Sequence, residues 1–213
     1  MSAWSAAMTS HSDAIRLQEE LARKVIAADD FGRIKNVCGV DVAYIGDTAY
    51  CSAVIMDRAG KAVIETASSV SAAKNPYIPG LLMLREAEPI LHTLEMLKKN
   101  YDLLLVDGHG QLHPRKCGLA CYLGIKLGKP AIGVAKRLLC GNLRDDGFIE
   151  YGGEILGFAL PLGGRKKIYV SVGHRVSLKT AVEIVRDAGR GMPEPLRLAD
   201  FNSKMQKRGR GLS

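Results

Sequence analysis

The sequence lacks any long apolar run, and none of its segments approaches the roughly 18 residues that a membrane-spanning helix needs. It also lacks internal repeats, low-complexity blocks and a secretory signal, and its five cysteines include no CxxC pair. These absences exclude a membrane-spanning chain, a repeat protein and a disulfide framework. We therefore expect a cytoplasmic protein with reduced cysteines. Cys38 and Cys51 lie in apolar strand patterns and are predicted to be buried.

Acidic residues are too few to balance the basic ones. The 30 Lys and Arg residues outnumber the 22 Asp and Glu residues, which gives a net charge of +8. This excess fits a polyanionic partner, most simply nucleic acid, although many basic proteins bind none. The 213 residues are enough for one domain with a full core. We predict a disordered N-terminus (1–11), a single domain (12–203) and a flexible basic tail (204–213). Neither a coiled-coil heptad nor an obvious interface is present, and the oligomeric state cannot be read from the sequence; our expectation is a monomer.

Residues 102–118, DLLLVDGHGQLHPRKCG, combine a strand pattern with polar chemistry. The apolar run predicts a strand that is buried on both faces and ends at Asp107. A carboxylate at that position is costly unless it is paired, hydrogen-bonded or bound to a metal. Pro114 is expected to open the next helix at Arg115. The segment is either a strand-to-helix turn capped by an aspartate or a ligand site at the carboxyl end of a parallel strand.

The rest of the pattern predicts an α/β protein. Residues 37–45, 50–56 and 62–70 indicate an antiparallel meander. A helix from Pro79 to about residue 99, the strand of Asp107, a second helix and a strand at 131–135 follow. Residues 141–153 predict an exposed loop and residues 158–172 a hairpin. A last helix begins at about Leu196.

Four carboxylates fall at marked positions of these elements. Asp41 lies in the middle of the first strand, Glu86 on the apolar arc of the helix that follows the meander, and Asp200 on the last helix. If the first strand and the strand of Asp107 are neighbours, Asp41 and Asp107 can meet. Two such carboxylates repel, so either one keeps its proton or a cation binds between them. Oxygen ligands of this kind suit Mg²⁺.

Four longer motifs are more specific than any single residue. They are VCGVDVAY, PYIPGLLMLRE, DGHGQLHPRKCGLACYLG and GVAKRLL, which occur in this order along the chain. They resemble the motifs of the endonuclease V family of ribonuclease H-like nucleases, and the resemblance covers residues 18–200. It implies that residues 12–203 form a ribonuclease H-like domain. Its mixed sheet would have three antiparallel strands followed by parallel strands, in the order 3-2-1-4-5, with helices on its faces.

The resemblance also implies roles for individual residues by position. Asp41 and Asp107 match the principal Mg²⁺ ligands and Glu86 the third acid, while Asp200 matches a ligand for a second metal; Mn²⁺ may substitute. Lys136 matches a phosphate-contacting lysine. The implied catalytic residues are Asp41, Glu86, Asp107, His113 and Lys136; the implied strand-separating wedge is Pro76, Tyr77, Ile78 and Pro79; and the implied base pocket is Gly80, Leu82, Gly108, Gly118 and Leu139.

The activity implied by the resemblance is incision of DNA that contains deoxyinosine. The base would be flipped out, and water would hydrolyse the second phosphodiester bond 3′ to it, leaving 3′-hydroxyl and 5′-phosphate ends. Two alternatives stay open at this point. One is an endoribonuclease specific for inosine in RNA, and the other is a nucleic-acid-binding module that has lost catalysis.

Overall fold

The computed structural model describes residues 11–59, 61–164, 166–189 and 191–210. The predicted disordered N-terminus therefore lies outside the described residues, apart from His11. The described chain forms the strands β1 (Asn36–Ile45), β2 (Thr48–Asp57), β3 (Val63–Ala72), β4 (Leu103–Asp107), β5 (Ala131–Ala135), β6 (Asn142–Leu143), β7 (Phe148–Tyr151), β8 (Glu154–Gly163) and β9 (Lys166–His174). Its helices are α1 (His11–Ala22), α2 (Leu82–Glu95), α3 (Leu119–Leu127), α4 (Leu178–Asp187) and α5 (Glu194–Arg210).

The strands form one mixed sheet in the order β3-β2-β1-β4-β5-β9-β8-β7-β6. The first three strands are an antiparallel meander, and β4 and β5 lie parallel to β1 beside it. The predicted order 3-2-1-4-5 and the ribonuclease H-like fold class are thus confirmed. The β8–β9 hairpin continues the sheet because β9 pairs antiparallel with β5.

Alternating side chains divide the core into two layers, one on each face of the sheet. On one face, Val40 and Val106 pack with residues from α1, α2 and α3. On the other face, Val37 and Leu105 pack with residues from α4 and α5. Helix α5 lies directly against β1 at Gly39. Glycine permits this close approach, since any side chain there would collide with the backbone of Pro195. This contact brings the last helix of the described chain onto the central strands.

Both prolines that were expected to open helices lie in turns instead. The Leu81 N–H donates to the Ile78 carbonyl at 2.9 Å, and Gly80 has a φ of +77°, which makes 78–81 a type II turn. Likewise, the Lys116 N–H donates to the His113 carbonyl at 2.8 Å across Pro114. Helices α2 and α3 therefore begin later than predicted, at Leu82 and Leu119. The fixed φ of proline suits the second residue of a turn as well as the first residue of a helix, so local sequence could not separate the two.

Two further segments differ from the sequence-based expectation. The prediction of an exposed loop at 141–153 is wrong, because β6 and β7 lie there and pair antiparallel at the edge of the sheet. Strands of two and four residues are too short to show an apolar alternation. Helix α5 extends to Arg210 and so includes residues 204–210 of the predicted flexible tail.

The cysteine and membrane predictions can also be compared with the structure. All five cysteines are free, and Cys38 and Cys51 are buried as predicted. Within the described ranges, no helix has the length and apolar character required to cross a bilayer.

Candidate active site

Strand register places Asp41 beside Asp107. Strands β1 and β4 are parallel, and Val40 pairs with Val106. The next residue on each strand is an aspartate, so the two carboxylates lie side by side on neighbouring strands. Alternation puts both side chains on the face opposite Val40 and Val106, which is the face that α5 covers.

Helix α5 adds the third carboxylate, that of Asp200. One carboxylate oxygen from each of Asp41, Asp107 and Asp200 lies within 4.8 Å of the other two, and all three residues are half-buried. Asp200 reaches the strands because Leu196, one helical turn earlier, is buried in the core. Acids that are 159 positions apart in the sequence, from residue 41 to residue 200, therefore converge at one place.

The acids of this site repel one another when they are ionised. Burial, followed by the neighbouring Asp107 carboxylate, raises the pKa of Asp41 to about 7. Burial also raises the pKa of Glu86 to about 8, with Asp41 and Asp107 as the further causes. Glu86 does not belong to the three-oxygen cluster, but its charge adds to the same repulsion. These groups cannot all ionise readily at neutral pH unless more positive charge is supplied.

Two lysines supply part of that charge. Lys136, which directly follows β5, places its Nζ 2.6 Å from an oxygen of Asp107 and 3.2 Å from one of Asp200. Partial burial lowers the pKa of Lys136, but the carboxylates of Asp107 and Asp200 outweigh it and raise the pKa above its usual value. Lys204 binds both oxygens of Asp200, at 2.8 and 2.7 Å. Although burial pushes the pKa of Asp200 upward, hydrogen bonds from Lys204 and Lys136 hold it lower than usual.

The sequence reasoning missed Ser203 and Lys204. The buried Ser203 Oγ lies 2.9 Å from Asp41 Oδ2 and 3.0 Å from the Asp200 carbonyl, and it can donate to one of them at a time. Both residues lie on α5, three and four positions after Asp200. That helical spacing was the available signal, because residues at i+3 and i+4 share a face of the helix.

The donor set fits a divalent metal ion. The three converging groups all offer carboxylate oxygen, which is the ligand type that Mg²⁺ prefers. Burial and the Asp107 carboxylate raise the pKa of Asp41, so a bound cation would favour its ionised form. Asp41, Asp107 and Asp200 would hold such an ion.

His113 lies in a polar cluster at the turn of residues 78–81. The ring is only 3 % exposed, and its Nε2 lies 3.0 Å from the Gly80 carbonyl. Its Nδ1 accepts the Arg115 backbone N–H at 3.2 Å. Burial, and then the Arg115 guanidinium, lower the pKa of His113 to about 4. The ring is therefore neutral at pH 7, with its proton on Nε2, and it donates to Gly80. A catalytic role for His113 stays a prediction.

The predicted wedge is held at both ends and exposed in the middle. At its start, Arg85 donates to the Asn75 carbonyl at 2.8 Å, and the Asn75 side chain donates to the Leu84 carbonyl at 2.9 Å. At its end, the Gly80 carbonyl accepts from His113. Tyr77 stands between these anchors and is 62 % exposed. A rigid loop that presents an unpacked aromatic ring suits insertion into a nucleic acid, and this role stays a prediction.

Some of the predicted base-pocket residues are close neighbours in the structure. A side chain at Gly108 would lie 3.8 Å from Leu82 Cδ2, so these two positions adjoin. Gly118 is required by packing, because any side chain there would collide with the His109 carbonyl. Leu139 lies after β5 with an exposed side chain. The pocket itself stays a prediction.

Comparisons with known proteins agree with this arrangement. A family model described as Endonuclease V matches residues 19–201. Endonuclease V of Thermofilum pendens is 42 % identical over 203 residues, covering 91 % of this chain and 88 % of the relative. Endonuclease V of Streptomyces avermitilis has a crystal structure with a TM-score of 0.89 at 33 % identity, covering 97 % of both chains.

A third relative is known in complex with nucleic acid. The crystal structure of Ciona intestinalis Endonuclease V (D234N) contains a 23mer DNA with an inosine followed by a ribo-adenosine. It matches with a TM-score of 0.86 at 29 % identity, and the match covers 93 % of this chain and 97 % of that one. The chain described here therefore belongs to the Endonuclease V family.

Proposed function

We propose that this protein is a Mg²⁺-dependent endonuclease that recognises deoxyinosine in DNA and cuts the strand on the 3′ side of the lesion. The observation that carries the proposal is the meeting of Asp41, Asp107 and Asp200 within 4.8 Å, with Lys136 bound to two of them. Membership of the Endonuclease V family and the inosine-containing DNA bound by the Ciona relative support the choice of lesion.

The reaction would be hydrolysis of the second phosphodiester bond 3′ to the lesion. Water attacks phosphorus, the bond from phosphorus to the 3′ oxygen breaks, and that oxygen takes up a proton. The products carry a 3′-hydroxyl and a 5′-phosphate. When bound, divalent cations lower the pKa of water and stabilise charge on the leaving oxygen. Asp41, Asp107 and Asp200 hold the cations, with Glu86 as an additional acid, and Lys136 offers its ammonium group to a phosphate oxygen.

Lesion recognition would follow from base flipping. The exposed Tyr77 fills the gap that the extruded base leaves in the stack. Hypoxanthine presents an N1–H donor and an O6 acceptor, whereas adenine presents the reverse pattern. Backbone groups of the pocket that match hypoxanthine would be left unpaired by adenine, which is costly in a buried site.

The decisive experiment is incision of an end-labelled duplex with one inosine, against the same duplex with adenine. We expect nicking of the inosine strand with Mg²⁺ or Mn²⁺ and none in EDTA, at the position given by a length standard. Asp107→Ala should lower the rate by more than about a thousandfold, because even one group that stabilises developing charge is worth roughly 10²–10³ in rate. Glu183→Gln, which removes an exposed acid on α4, is the matched control. Full activity of Asp107→Ala or in EDTA would refute the proposal.

Inosine in RNA is a second candidate substrate. The DNA bound by the Ciona relative carries a ribo-adenosine directly after the inosine, so that relative accommodates a 2′-hydroxyl at this position. Matched oligonucleotides of DNA, of RNA, and of DNA with one ribonucleotide 3′ to the inosine would separate the candidates. Faster incision of the DNA supports the deoxyinosine assignment, and faster incision of RNA replaces it.

A further inference from the structure

Gln18 is a buried polar residue to which none of the proposed catalytic roles applies. It lies on α1 and is 1 % exposed, on the face where Ala14 and Leu21 pack into the core. An apolar side chain would suffice to continue that face. A buried amide is costly unless its donors and acceptor all find partners. The partners of Gln18 therefore indicate what the amide does.

Those partners belong to two segments that are distant in sequence. The Gln18 Nε2 donates to the Gly80 carbonyl at 3.1 Å and to the Cys117 carbonyl at 2.8 Å. Its Oε1 accepts from the Arg115 Nε at 2.6 Å. One side chain thus ties α1 to the turn before α2 and to the chain just before α3.

The first of these bonds is one of three that hold the Gly80 carbonyl in the turn at the end of the wedge. The Gly80 carbonyl also accepts from the Arg115 Nη2 at 2.7 Å and bonds the His113 Nε2 at 3.0 Å. Because the peptide group is planar, fixing this carbonyl also fixes the N–H of Leu81. That N–H closes the turn by donating to the Ile78 carbonyl.

The second bond controls the chain at Gly118. The Cys117 carbonyl and the Gly118 N–H belong to one peptide group, and this N–H donates to the Gly110 carbonyl at 2.9 Å. The group is therefore held at both of its polar atoms, one of them by Gln18. Gly80 and Gly118 are both positions where the base pocket is predicted.

We infer that Gln18 is a positioning residue for lesion recognition, which holds the two backbone segments on either side of the base pocket at a fixed spacing. It does so without touching nucleic acid, because it is buried. The inference rests on the proposed function, since it names a residue on which the selectivity of that site depends. A purely structural Gln18 would contribute to stability and leave the choice of base unaffected.

The test compares Gln18→Leu with Leu21→Ala. Leu21 is a buried residue of the same helix, and its truncation destabilises the protein through lost packing alone. Affinities for an inosine duplex and for the matched adenine duplex are measured in EDTA, together with unfolding in urea. We expect Gln18→Leu to lower the inosine-to-adenine affinity ratio about tenfold or more, because a buried partner left unpaired affects the site directly. Leu21→Ala should lower stability and keep the wild-type ratio.

Two further measurements keep the outcome interpretable. Gln18→Glu retains the acceptor for Arg115 but cannot donate to the two carbonyls, so it should lose selectivity as Gln18→Leu does. Hydrogen exchange of the Leu81 amide should be faster in both Gln18 variants than in Leu21→Ala. A wild-type ratio in both Gln18 variants, or an equal loss in Leu21→Ala, would overturn the inference. If the wild type itself shows no preference for inosine, the proposed function fails, and unchanged exchange at Leu81 would then overturn the positioning role separately.

Discussion

Among the three clustered acids, Asp41 is the one that the lysines of the site neutralise least. Asp107 and Asp200 each form an ion pair with Lys136, and Asp200 forms a second with Lys204. No ion pair reaches Asp41 within the described ranges, and the neutral Ser203 hydroxyl lies within hydrogen-bond distance of its carboxylate. A cation bound at this cluster would supply positive charge beside Asp41 and so favour its ionised form, which burial and the Asp107 carboxylate disfavour.

Lys204 competes with metal for Asp200. Lys204→Met removes an ammonium group that binds both Asp200 oxygens, so we expect Mg²⁺ to bind the DNA-free protein about two- to fivefold more tightly, in line with the strength of exposed ion pairs. Calorimetric titration of metal-free protein measures this effect. Lys207→Met removes the same charge from the same helix and serves as the control. Weaker Mg²⁺ binding by Lys204→Met alone would contradict the prediction.

His113 gives the protein a specific acid sensitivity. Its pKa is about 4 in the folded state against an ordinary 6.5, so the unfolded chain takes up the proton first as the pH falls. Its contribution to stability is complete above pH 6.5 and is lost between pH 6.5 and 4. We expect wild type to lose about 3 kcal/mol more unfolding free energy over this window than His113→Gln. Urea denaturation in EDTA at a series of pH values measures the difference, and the exposed His92→Gln should follow the wild-type curve.

At the scale of elements, the segment between β3 and α2 owes its shape to two anchors and a turn. Arg85 holds its start and the cluster of Gln18, His113 and Arg115 holds its end. Proline and glycine at the centre of the type II turn fix the backbone locally. The ring of Tyr77 is therefore exposed on a rigid support.

Tyr77→Ala should leave the fold intact, because the ring is mostly solvent-exposed. If the ring stacks in the gap left by the flipped base, its loss should weaken affinity for inosine DNA about tenfold or more, in line with the energies of base–aromatic stacking. Tyr77→Phe keeps the stacking surface and should bind like wild type. Equilibrium binding in EDTA and thermal unfolding of both variants check these expectations. Equal affinities for all three proteins would assign Tyr77 no role in stacking.

For the molecule as a whole, the net charge of +8 predicts how binding responds to salt. Each phosphate that the protein neutralises contributes about −0.9 to the slope of log K against log salt for duplex DNA. With three or more such contacts, a fourfold rise in salt should weaken binding by roughly 40-fold or more. Binding titrations at several salt concentrations give the slope, and Lys136→Met should reduce it by about one. An affinity independent of salt would argue against contacts to the phosphate backbone.

The sequence predicted the centre of the molecule better than its edges. The meeting of Asp41 and Asp107 could be predicted because each lies within or at the end of an apolar strand pattern. A carboxylate at such a position is costly unless it has a partner. The turns at Pro79 and Pro114 could not be separated from helix starts, since proline has the same φ in both. Strand β7 pairs with the edge of β8 and β6 pairs with β7, and the local sequence of these short strands does not show those partners. The cluster around Gln18 joins residues 18, 80 and 117, and only the folded chain shows that they meet.

Helix α5 follows every strand of the sheet in sequence and yet supplies both Asp200 and the Ser203 hydroxyl beside Asp41. A ribosome releases Asp41 and Asp107 long before that helix emerges. A chain that stops before α5 therefore lacks both Asp200 and Ser203 at the acidic cluster. The cluster of Asp41, Asp107 and Asp200 is therefore completed only after every strand of the sheet has been synthesised.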